Sequence, residues 1–466
     1  MIHRETLPSR ASKRNRLTIR EWFCFRIQTR QIEANTLLRS RRLFQQFVVD
    51  DYTMIESERL SFIRNNQSKL RVDKYNNLSD RSSNSEKEGA SKGKIIVLPS
   101  SFVGGKRFMD QLFFDGMTIC SYLGFPNLFV TFTCNPKWPE ITRLLSDLSL
   151  TASDRPNIVS RIFRIKFEQL LEDLTKKDLL GRAVGCRYHD CVFIELLLQF
   201  INDYDNNKYY FFSFADMYTI EFQKRGLPHA HLLLFLHPTS KYPTATDIDK
   251  VISAEIPCPV MNTLLYNCVK DHMIHGPCGI AKKSSPCMKN GVCSRFYPKK
   301  IQPMTVIDED GFAHYKRRDN GVSVTKNDIS LDNRYVVPYN PKLLLKYQAH
   351  INVEWCNTST SIKYLFKYIN KGYDRITTAI VPNHHDVSQI VEDRDEVKKY
   401  LDCRYISPCE ACWRIFSFPI HGRNPNVERL FFHLLGEQSI YFKDDDDIEE
   451  IVGQPSILES MFTSWM

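Results

Sequence analysis

Two apolar segments joined by a short turn constrain the fold more than any other feature of this chain. "MYTIEF" (217–222) and "HLLLFL" (231–236) have the β-branched, aromatic and aliphatic content of buried strands. The intervening "QKRGLP" contains Gly226 and Pro228, two residue types that favour turns. We therefore predict that the two strands pair antiparallel, so that an antiparallel sheet forms at least part of the core.

Four further segments predict the rest of the fold. "LFVTFTCNP" (Leu128–Pro136) is typical of a buried strand closed by a turn, and "IVSRIFRIKFEQLLEDLTKK" (Ile158–Lys177) of an amphipathic helix. Residues 14–80 place apolar side chains at helical spacing, and Ser359–Gly372 predicts a helix that ends at Gly372. This mixture of helices and antiparallel strands predicts the α+β class.

Positive charge is concentrated in a few parts of the chain. The net charge is +9, and residues 1–42 carry eleven Lys or Arg against three Asp or Glu. Basic clusters with aromatic neighbours follow at "RFYPKK" (Arg295–Lys300) and "YKRRDN" (Tyr315–Asn320). Solvated surface charge explains any one cluster equally well. Together they favour a nucleic acid, whose phosphates attract cations and whose bases stack on aromatic rings.

The apolar segments and the cysteines predict the cellular compartment in which the protein folds. No run of about eighteen uncharged apolar residues occurs, so we expect no membrane span. The basic, polar N-terminus lacks the apolar region of a secretory signal. Without such a signal, the fourteen cysteines indicate a reducing compartment, where close cysteine spacing points to metal binding or packing rather than to disulfides.

His229 and His231 form the first candidate site. On a strand, residues i and i+2 face the same side, so both imidazoles point toward one place. Because Pro228 cannot donate to a sheet, we predict that the strand begins at His229 and that both rings lie near an open edge. A metal would need a third polar ligand, and Glu221 and Gln223 on the preceding strand are candidates. Simple packing of the two rings is the alternative.

A tyrosine pair forms the second candidate site. Tyr364 and Tyr368 are four residues apart and share one helical face, and Lys367 and Lys371 form a second such pair. A packed aromatic stripe explains the spacing. The functional interpretation is a phenol that attacks a phosphodiester while the lysines neutralise charge on phosphorus. Because the pKa of a free phenol is about 10, a nearby cation, base or metal must assist.

Three of these stretches together, "LFVTFTCNPKWPEI", "YTIEFQKRGLPHAH" and "SIKYLFKYINKG", resemble the N-terminal region of Helitron transposases, the helitron helicase-like domain. The resemblance runs from about Arg16 to the final "MFTSWM". It implies a Rep-type HUH endonuclease, in which two histidines flank a hydrophobic residue, here His229-Ala230-His231. The implied fold is an antiparallel sheet flanked by helices.

The resemblance also implies roles for the site residues. His229 and His231 would bind Mg²⁺ or Mn²⁺, with Gln223 the likelier third ligand and Glu221 the second choice. Tyr364 and Tyr368 would be nucleophiles that form a 5′-phosphotyrosine on single-stranded DNA, with a free 3′-OH, during rolling-circle transposition in the nucleus. Imidazole-rich sites favour softer metals than Mg²⁺, so the identity of the metal follows from the resemblance alone.

A cysteine-rich segment predicts a second metal site. "HMIHGPCGIAKKSSPCMKNGVCSRF" offers three cysteines and a histidine within twenty residues, as a structural tetrahedral Zn²⁺ requires. The predicted ligands are His275, Cys278, Cys287 and Cys293; His272 could replace His275, and chance clustering of cysteines is the alternative. The resemblance implies this zinc knuckle too. We interpret Cys403, Cys409 and Cys412 as packing residues.

The sequence departs from the family pattern in two ways. Full Helitron proteins continue into a helicase, but no G-x-x-x-x-G-K-[ST] loop occurs here and the chain ends at Met466. We therefore expect no ATPase activity, with any helicase supplied in trans. Secondly, Cys186–Asp216, rich in Phe, Tyr, Asn and Ile, separates "GRAVG" from "YTIEF". We interpret it as an insertion, either a retained intron that could displace the metal site or a tolerated surface loop.

These observations predict a domain organisation and two functions. The predicted segments are a basic helical N-terminal segment (1–80), a flexible linker (78–94), an HUH core (95–258 and 330–420, with 186–216 inserted), a zinc-knuckle segment (259–329) and a C-terminal extension (421–466). The leading function is a metal-dependent tyrosine endonuclease. The alternative is a truncated or domesticated remnant that binds DNA without cutting it.

Overall fold

The structure is a computed structural model, in which the described residues divide into two compact units. It describes residues 16–30, 35–67, 71–74, 96–183, 185–186, 213–214, 216–222, 226–356, 395–401, 404–427 and 439–442. Unit 1 comprises Met1–Asp50, Gly116–Lys371 and Ser407–Asn426, and unit 2 comprises Asp51–Asp115, Gly372–Ile406 and Val427–Met466.

The described residues form helices and antiparallel sheets, which confirms the predicted α+β class. The α-helices are α1 (Ile19–Arg26), α2 (Thr36–Arg39), α3 (Arg42–Asn65), α4 (Lys106–Leu123), α5 (Pro139–Leu145), α6 (Pro156–Thr175), α7 (Ala245–Val251), α8 (Thr263–Cys268), α9 (Pro341–Tyr347), α10 (Glu396–Leu401) and α11 (Pro408–Ile415). A π-helical turn, Val269–Met273, follows α8 directly. In the described part of the chain, no helix is both long and apolar enough to span a bilayer.

The strands range from two-residue ladders to the seven-residue strands of the main sheet. They are β1 (Arg71–Lys74), β2 (Leu128–Thr133), β3 (Gly185–Cys186), β4 (Ser213–Phe214), β5 (Asp216–Phe222), β6 (Pro228–Leu234), β7 (Met288–Lys289), β8 (Val292–Cys293), β9 (Val306–Ile307), β10 (Ala313–His314), β11 (Val324–Lys326), β12 (Ile329–Leu331), β13 (Ile351–Trp355), β14 (His421–Asn424) and β15 (Ser439–Phe442).

Unit 1 is built on a five-stranded sheet of order β13-β2-β6-β5-β14 in which every neighbouring pair is antiparallel. The predicted pairing of β5 with β6 is confirmed, with Glu221 opposite His229 and Thr219 opposite His231. β14 joins this sheet although it lies beyond residue 420, where the predicted core ends. β5 and β6, the two strands of the predicted pair, are therefore interior strands of this sheet.

One face of the sheet packs against helices α6 and α11. Apolar residues on this face, such as Phe132 and Ala230, belong to one buried cluster with Phe163 of α6 and Trp413 of α11. The Phe163 ring lies 5.4 Å from Phe132 and 6.1 Å from Trp413, measured between ring centroids. Cys409 belongs to the same cluster and Cys412 is fully buried, so the packing interpretation is confirmed for these two cysteines. Cys403 lies outside the described residues.

The helical prediction for residues 14–80 is confirmed only in part. Helices α1 to α3 are present, but residues 71–74 form β1, which pairs antiparallel with β15 near the other end of the chain. The helical prediction is wrong at β1 because its hydrogen-bonding partner is more than 360 residues away, beyond the reach of local periodicity. The predicted linker (78–94) lies outside the described residues.

Unit 2 contains a buried ion pair beside a small apolar cluster. Arg404 lies 2.9 Å from the carboxylate of Glu56, and Tyr52 and Tyr400 donate hydrogen bonds to the same carboxylate at 2.8 and 3.0 Å. Leu60, Leu98, Phe102, Val397 and Tyr400 form the apolar cluster. Because a buried carboxylate needs a counter-charge and hydrogen-bond donors, these three partners satisfy the polar atoms of Glu56.

Asp216, the first residue of β5, gives unit 1 a pH-dependent stability. Burial raises the pKa of this carboxyl from 3.8 to about 6, although Asn424 donates to it at 3.4 Å. The folded state therefore favours the protonated form, and stability falls as pH rises through the interval between these two pKa values. We expect Asp216→Asn to stabilise the protein above pH 6 by about 2–3 kcal/mol and to have little effect near pH 4. Urea denaturation of both proteins at pH 4 and pH 8 measures this difference, and an equal effect at both values would contradict it.

Candidate functional site

The second face of the central sheet carries polar side chains where the first carries the core. His229 and His231 of β6 lie opposite Thr133 and Thr131 of β2 on one side and opposite Glu221 and Thr219 of β5 on the other. Both histidines are buried, with 6% and 4% of their surface exposed. A row of polar side chains thus crosses three adjacent strands.

The predicted open edge is wrong, because β6 is the central strand of the sheet. The strand begins at Pro228, whose carbonyl accepts a hydrogen bond from the amide of Cys134, so β2 covers the side that we expected to be exposed. Proline is tolerated there because it occupies the first position of the strand. The two rings nevertheless share a face as predicted, with centroids 4.7 Å apart.

Two threonine hydroxyls hold the imidazole rings in place. The Nδ1 atom of His229 lies 2.6 Å from the Thr133 hydroxyl, and that of His231 lies 3.3 Å from the Thr131 hydroxyl. The ring of Phe129 stacks on His231 with centroids 5.6 Å apart and planes 2° apart. With Nδ1 engaged by a hydroxyl, Nε2 is the ring atom that each histidine can present to a cation.

Glu221 supplies a carboxylate to this pair. Its Oε2 atom lies 3.2 Å from Nε2 of His231, and the residue faces His229 in the strand register. Two imidazoles and one carboxylate are ligand types that divalent transition metals accept. Gln223, the other predicted third ligand, lies outside the described residues.

Basic groups lie at the β14 side of the same face. His421 pairs in register with Thr219, the residue opposite His231, and Arg423 is two residues further along β14. Burial, together with Arg414 and Arg423, lowers the pKa of His421 to about 3. The imidazole is therefore neutral at physiological pH, and the two arginines provide the positive charge here.

The β13 side of the face connects to the cysteine-rich segment. His350 accepts a hydrogen bond from the Thr133 amide through its carbonyl, and its ring donates to the His272 carbonyl at 2.9 Å. Burial lowers the pKa of His350, which keeps its ring neutral. His272 thus contacts the sheet through its backbone, whereas His275 turns toward the cysteines.

The four predicted zinc ligands come together. The ligand atoms of His275, Cys278, Cys287 and Cys293 all lie within 4.8 Å of one another. The His275 Nε2 to Cys293 Sγ distance is 3.4 Å. A tetrahedral zinc with Zn–S bonds of about 2.3 Å separates its sulfurs by about 3.8 Å, so this donor set fits such an ion. The structure brings in His275, not the alternative His272.

The backbone and the neighbouring rings shape this cluster. Gly276 has φ +100°, and a Cβ there would lie 3.1 Å from the Cys278 amide nitrogen, so glycine is required between the first two ligands. The Tyr297 ring stacks on His275 with centroids 4.1 Å apart. Burial, Arg295 and Lys299 lower the pKa of His275 to about 4, so that its ring is in the neutral form that binds metals.

The remaining predicted site residues cannot be placed on this geometry. Tyr364, Lys367, Tyr368 and Lys371 all lie outside the described residues. Of the proposed insertion, β3 and β4 are described, and they pair with Gly185 opposite Phe214 and Cys186 opposite Ser213. β5 begins two residues after Phe214 and keeps its register with β6 throughout, so the histidine pair is in place with the insertion present.

Sequence reasoning missed Thr131, Thr133, His421 and Arg423. The alternation in "LFVTFT" puts Thr131 and Thr133 on one face of β2 and could have marked them as polar partners. No local pattern shows that β2 and β14 lie near β6, because these contacts join distant parts of the chain.

One comparison with known proteins identifies part of this chain. Residues 22–234 match the family described as the Helitron helicase-like domain at N-terminus. The match begins in α1 and ends at the last residue of β6, and so includes both histidines and Glu221. No curated protein matches the chain.

Proposed function

We propose that this protein, whose residues 22–234 match the Helitron helicase-like N-terminal domain, acts in Helitron transposition and nicks single-stranded DNA through a covalent tyrosine intermediate. The observation that carries the proposal is the arrangement of His229, His231 and Glu221 on one buried sheet face, with a threonine hydroxyl at Nδ1 of each ring.

The histidine pair and Glu221 are the residues that would hold Mg²⁺ or Mn²⁺, with Gln223 as a further candidate ligand. Such an ion would polarise the scissile phosphate and neutralise charge that builds up on its oxygens. Thr131 and Thr133 would orient the rings by accepting the Nδ1–H, so that each Nε2 would carry the lone pair for the metal. Two nitrogen ligands favour Mn²⁺ over Mg²⁺ in affinity.

Tyr364 or Tyr368 would be the nucleophile. The phenol oxygen attacks phosphorus, a Tyr–O–P bond forms, and the bond from phosphorus to the 3′ oxygen breaks. The phenolic proton passes to solvent or a nearby base, and the departing 3′ oxygen gains a proton to become the free 3′-OH. Lys367 and Lys371 would neutralise phosphate charge, and a second tyrosine permits a second cut while the first is occupied.

The cysteine cluster would hold a structural Zn²⁺. Three thiolates and one imidazole complete a tetrahedral site with no open position for a substrate, which is typical of structural rather than catalytic zinc. We further propose that the protein acts in the nucleus, where its DNA is.

A covalent adduct tests the function directly. Incubated with end-labelled single-stranded DNA and Mn²⁺, the wild-type chain should give a labelled band that survives denaturing electrophoresis. The double variant Tyr364→Phe and Tyr368→Phe should give none, because no phenol remains at either position, while its DNA affinity is unchanged. Residual adduct in the double variant would mean that the nucleophile lies elsewhere. No adduct from folded wild-type protein would favour the DNA-binding remnant.

A further inference from the structure

The segment that carries the cysteine cluster is strongly basic. Residues 270–300 contain seven Lys or Arg and one acidic residue, Asp271. Five of these cations, all within residues 282–300, are exposed: Lys282, Lys283, Lys289, Arg295 and Lys300. One carboxylate cannot balance this charge, so the segment presents a positive potential to solvent.

Phe296 stands out from this basic surface. Its side chain is 76% exposed, and its backbone φ of +56° lies in the left-handed region that non-glycine residues rarely adopt. The Phe296 amide donates to the carbonyl of Cys293, one of the four cluster residues, at 2.9 Å. The turn that projects this ring is therefore attached directly to the metal cluster, which can offset the backbone strain.

The two aromatic residues of this turn differ in role. Tyr297 stacks on the cluster residue His275 and is half-buried, whereas its neighbour Phe296 is exposed. Lys299 Nζ lies 5.9 Å from the Phe296 ring centroid and 5.1 Å from that of Tyr297. Arg295 precedes Phe296 and is itself exposed. An exposed ring between cations suits a strand whose bases are unpaired, since a base can stack on the ring while phosphates meet the cations.

Hydrogen bonds connect this surface to the histidine pair. The Thr133 hydroxyl contacts His229, the Thr133 amide donates to the His350 carbonyl, and the His350 ring donates to the His272 carbonyl. His272 is three residues before the cluster residue His275. β13 and β6 are separated by β2, which places His350 about 10 Å from His229 across two strand spacings. The cluster is thus attached at the β13 side of the candidate site.

We propose that Arg295, Phe296, Lys299 and Lys300, here called the Phe296 patch, bind the single strand that flanks the cleaved phosphate. Phe296 stacks on one base, and the three cations contact the neighbouring phosphates. This inference rests on the proposed function for the identity of the strand, but binding itself requires neither tyrosine nor a catalytic metal.

Fluorescence anisotropy with a labelled oligothymidine tests the patch. The titration uses the full chain without added Mg²⁺ or Mn²⁺ and without chelator, so that no cleavage is started and bound zinc is retained. Phe296→Ala should weaken binding by roughly 5- to 150-fold, the range expected for one base–aromatic stack. Phe296→Trp should bind as tightly as wild type, and so should the matched control Phe312→Ala, which removes an exposed phenylalanine outside the patch.

Salt dependence tests the cations. The slope of log affinity against log salt is negative. The double variant Arg295→Gln and Lys300→Gln should reduce its magnitude by about 1.4, or about 0.7 for each phosphate that the protein no longer neutralises. Lys250→Gln, which removes an exposed lysine paired with Asp247 on α7, should leave the slope unchanged. Duplex of the same sequence should be insensitive to Phe296→Ala, because its bases are already stacked.

The proposal would be overturned if Phe296→Ala bound the oligothymidine as tightly as wild type, or if it lost as much affinity for the duplex as for the single strand. Zinc content measured on each variant shows whether the cluster is intact. Photocrosslinking of wild-type protein to 5-iododeoxyuridine oligonucleotide, with mass spectrometry of the crosslinked peptide, provides a test without mutation. Crosslinks that exclude residues 295–300 would also overturn the patch. Absence of the covalent adduct with normal patch binding would refute only the nuclease.

Discussion

If the proposed function holds, His231→Ala should reduce the rate of adduct formation on the order of a thousandfold, because the loss of one imidazole would weaken binding of the metal that would stabilise the transition state by several kcal/mol. His231 contacts both the carboxylate of Glu221, another candidate metal ligand, and the hydroxyl of Thr131, which fixes the orientation of its ring. Single-turnover adduct formation in Mn²⁺ measures the rate, and calorimetric titration with Mn²⁺ measures the affinity. Both should fall together.

Matched variants separate metal binding from packing. His314→Ala removes an exposed histidine that pairs with Asp308, and it should leave the rate and the affinity unchanged. Thr133→Val should weaken Mn²⁺ binding by about 10- to 100-fold, since the hydroxyl sets the orientation of His229. Thr133→Ser keeps the hydroxyl and should retain most of the affinity. Unchanged Mn²⁺ affinity in His231→Ala would show that the rings only pack.

Cys278→Ala should abolish binding of zinc and unfold the segment around it. A structural Zn²⁺ contributes apparent binding free energies of about 10–16 kcal/mol in small zinc modules, far more than one packing contact. Cys278 is buried, and its thiol shares the cluster with two other cysteines and His275. Elemental analysis should find one zinc per wild-type chain and none in the variant, and limited proteolysis should cut the variant near the cluster.

Cys258→Ala provides the control for this result. Cys258 is exposed and lies outside the cluster, so its loss should leave the zinc content and the protease resistance unchanged. Zinc retained at full occupancy in Cys278→Ala would contradict the assignment. Wild-type protein purified with no zinc, and unable to take it up, would contradict the site itself.

Local chemistry could be predicted from the sequence, and long-range pairing could not. The zinc ligands could be predicted from their spacing, because all four lie within residues 275–293. Residues so close in sequence need only turns to bring their ligand atoms together. The shared face of His229 and His231 follows from strand periodicity. Their position in the centre of the sheet does not, since it depends on β2, which is about a hundred residues away.

The same distinction explains why the residues around the histidine pair were not predicted. Thr133 contacts His229 only because β2 pairs with β6, and Arg423 approaches the face only because β14 pairs with β5. Asp216 was not predicted to be unusual, because its raised pKa depends on burial in the assembled unit rather than on its neighbours in sequence. The roles of Tyr364 and Tyr368 remain predictions.

The ladder between β3 and β4 has a consequence for how this gene can vary. The chain departs at Cys186 and returns at Ser213, two residues that face each other directly, and β5 starts three residues later. The proposed insertion, 186–216, contains Cys186, all of β4 and Asp216, so a chain without it would lose this ladder and the first residue of β5. Met217–Phe222 would still pair with β6, and the strand that carries Glu221 would keep its register with the two histidines.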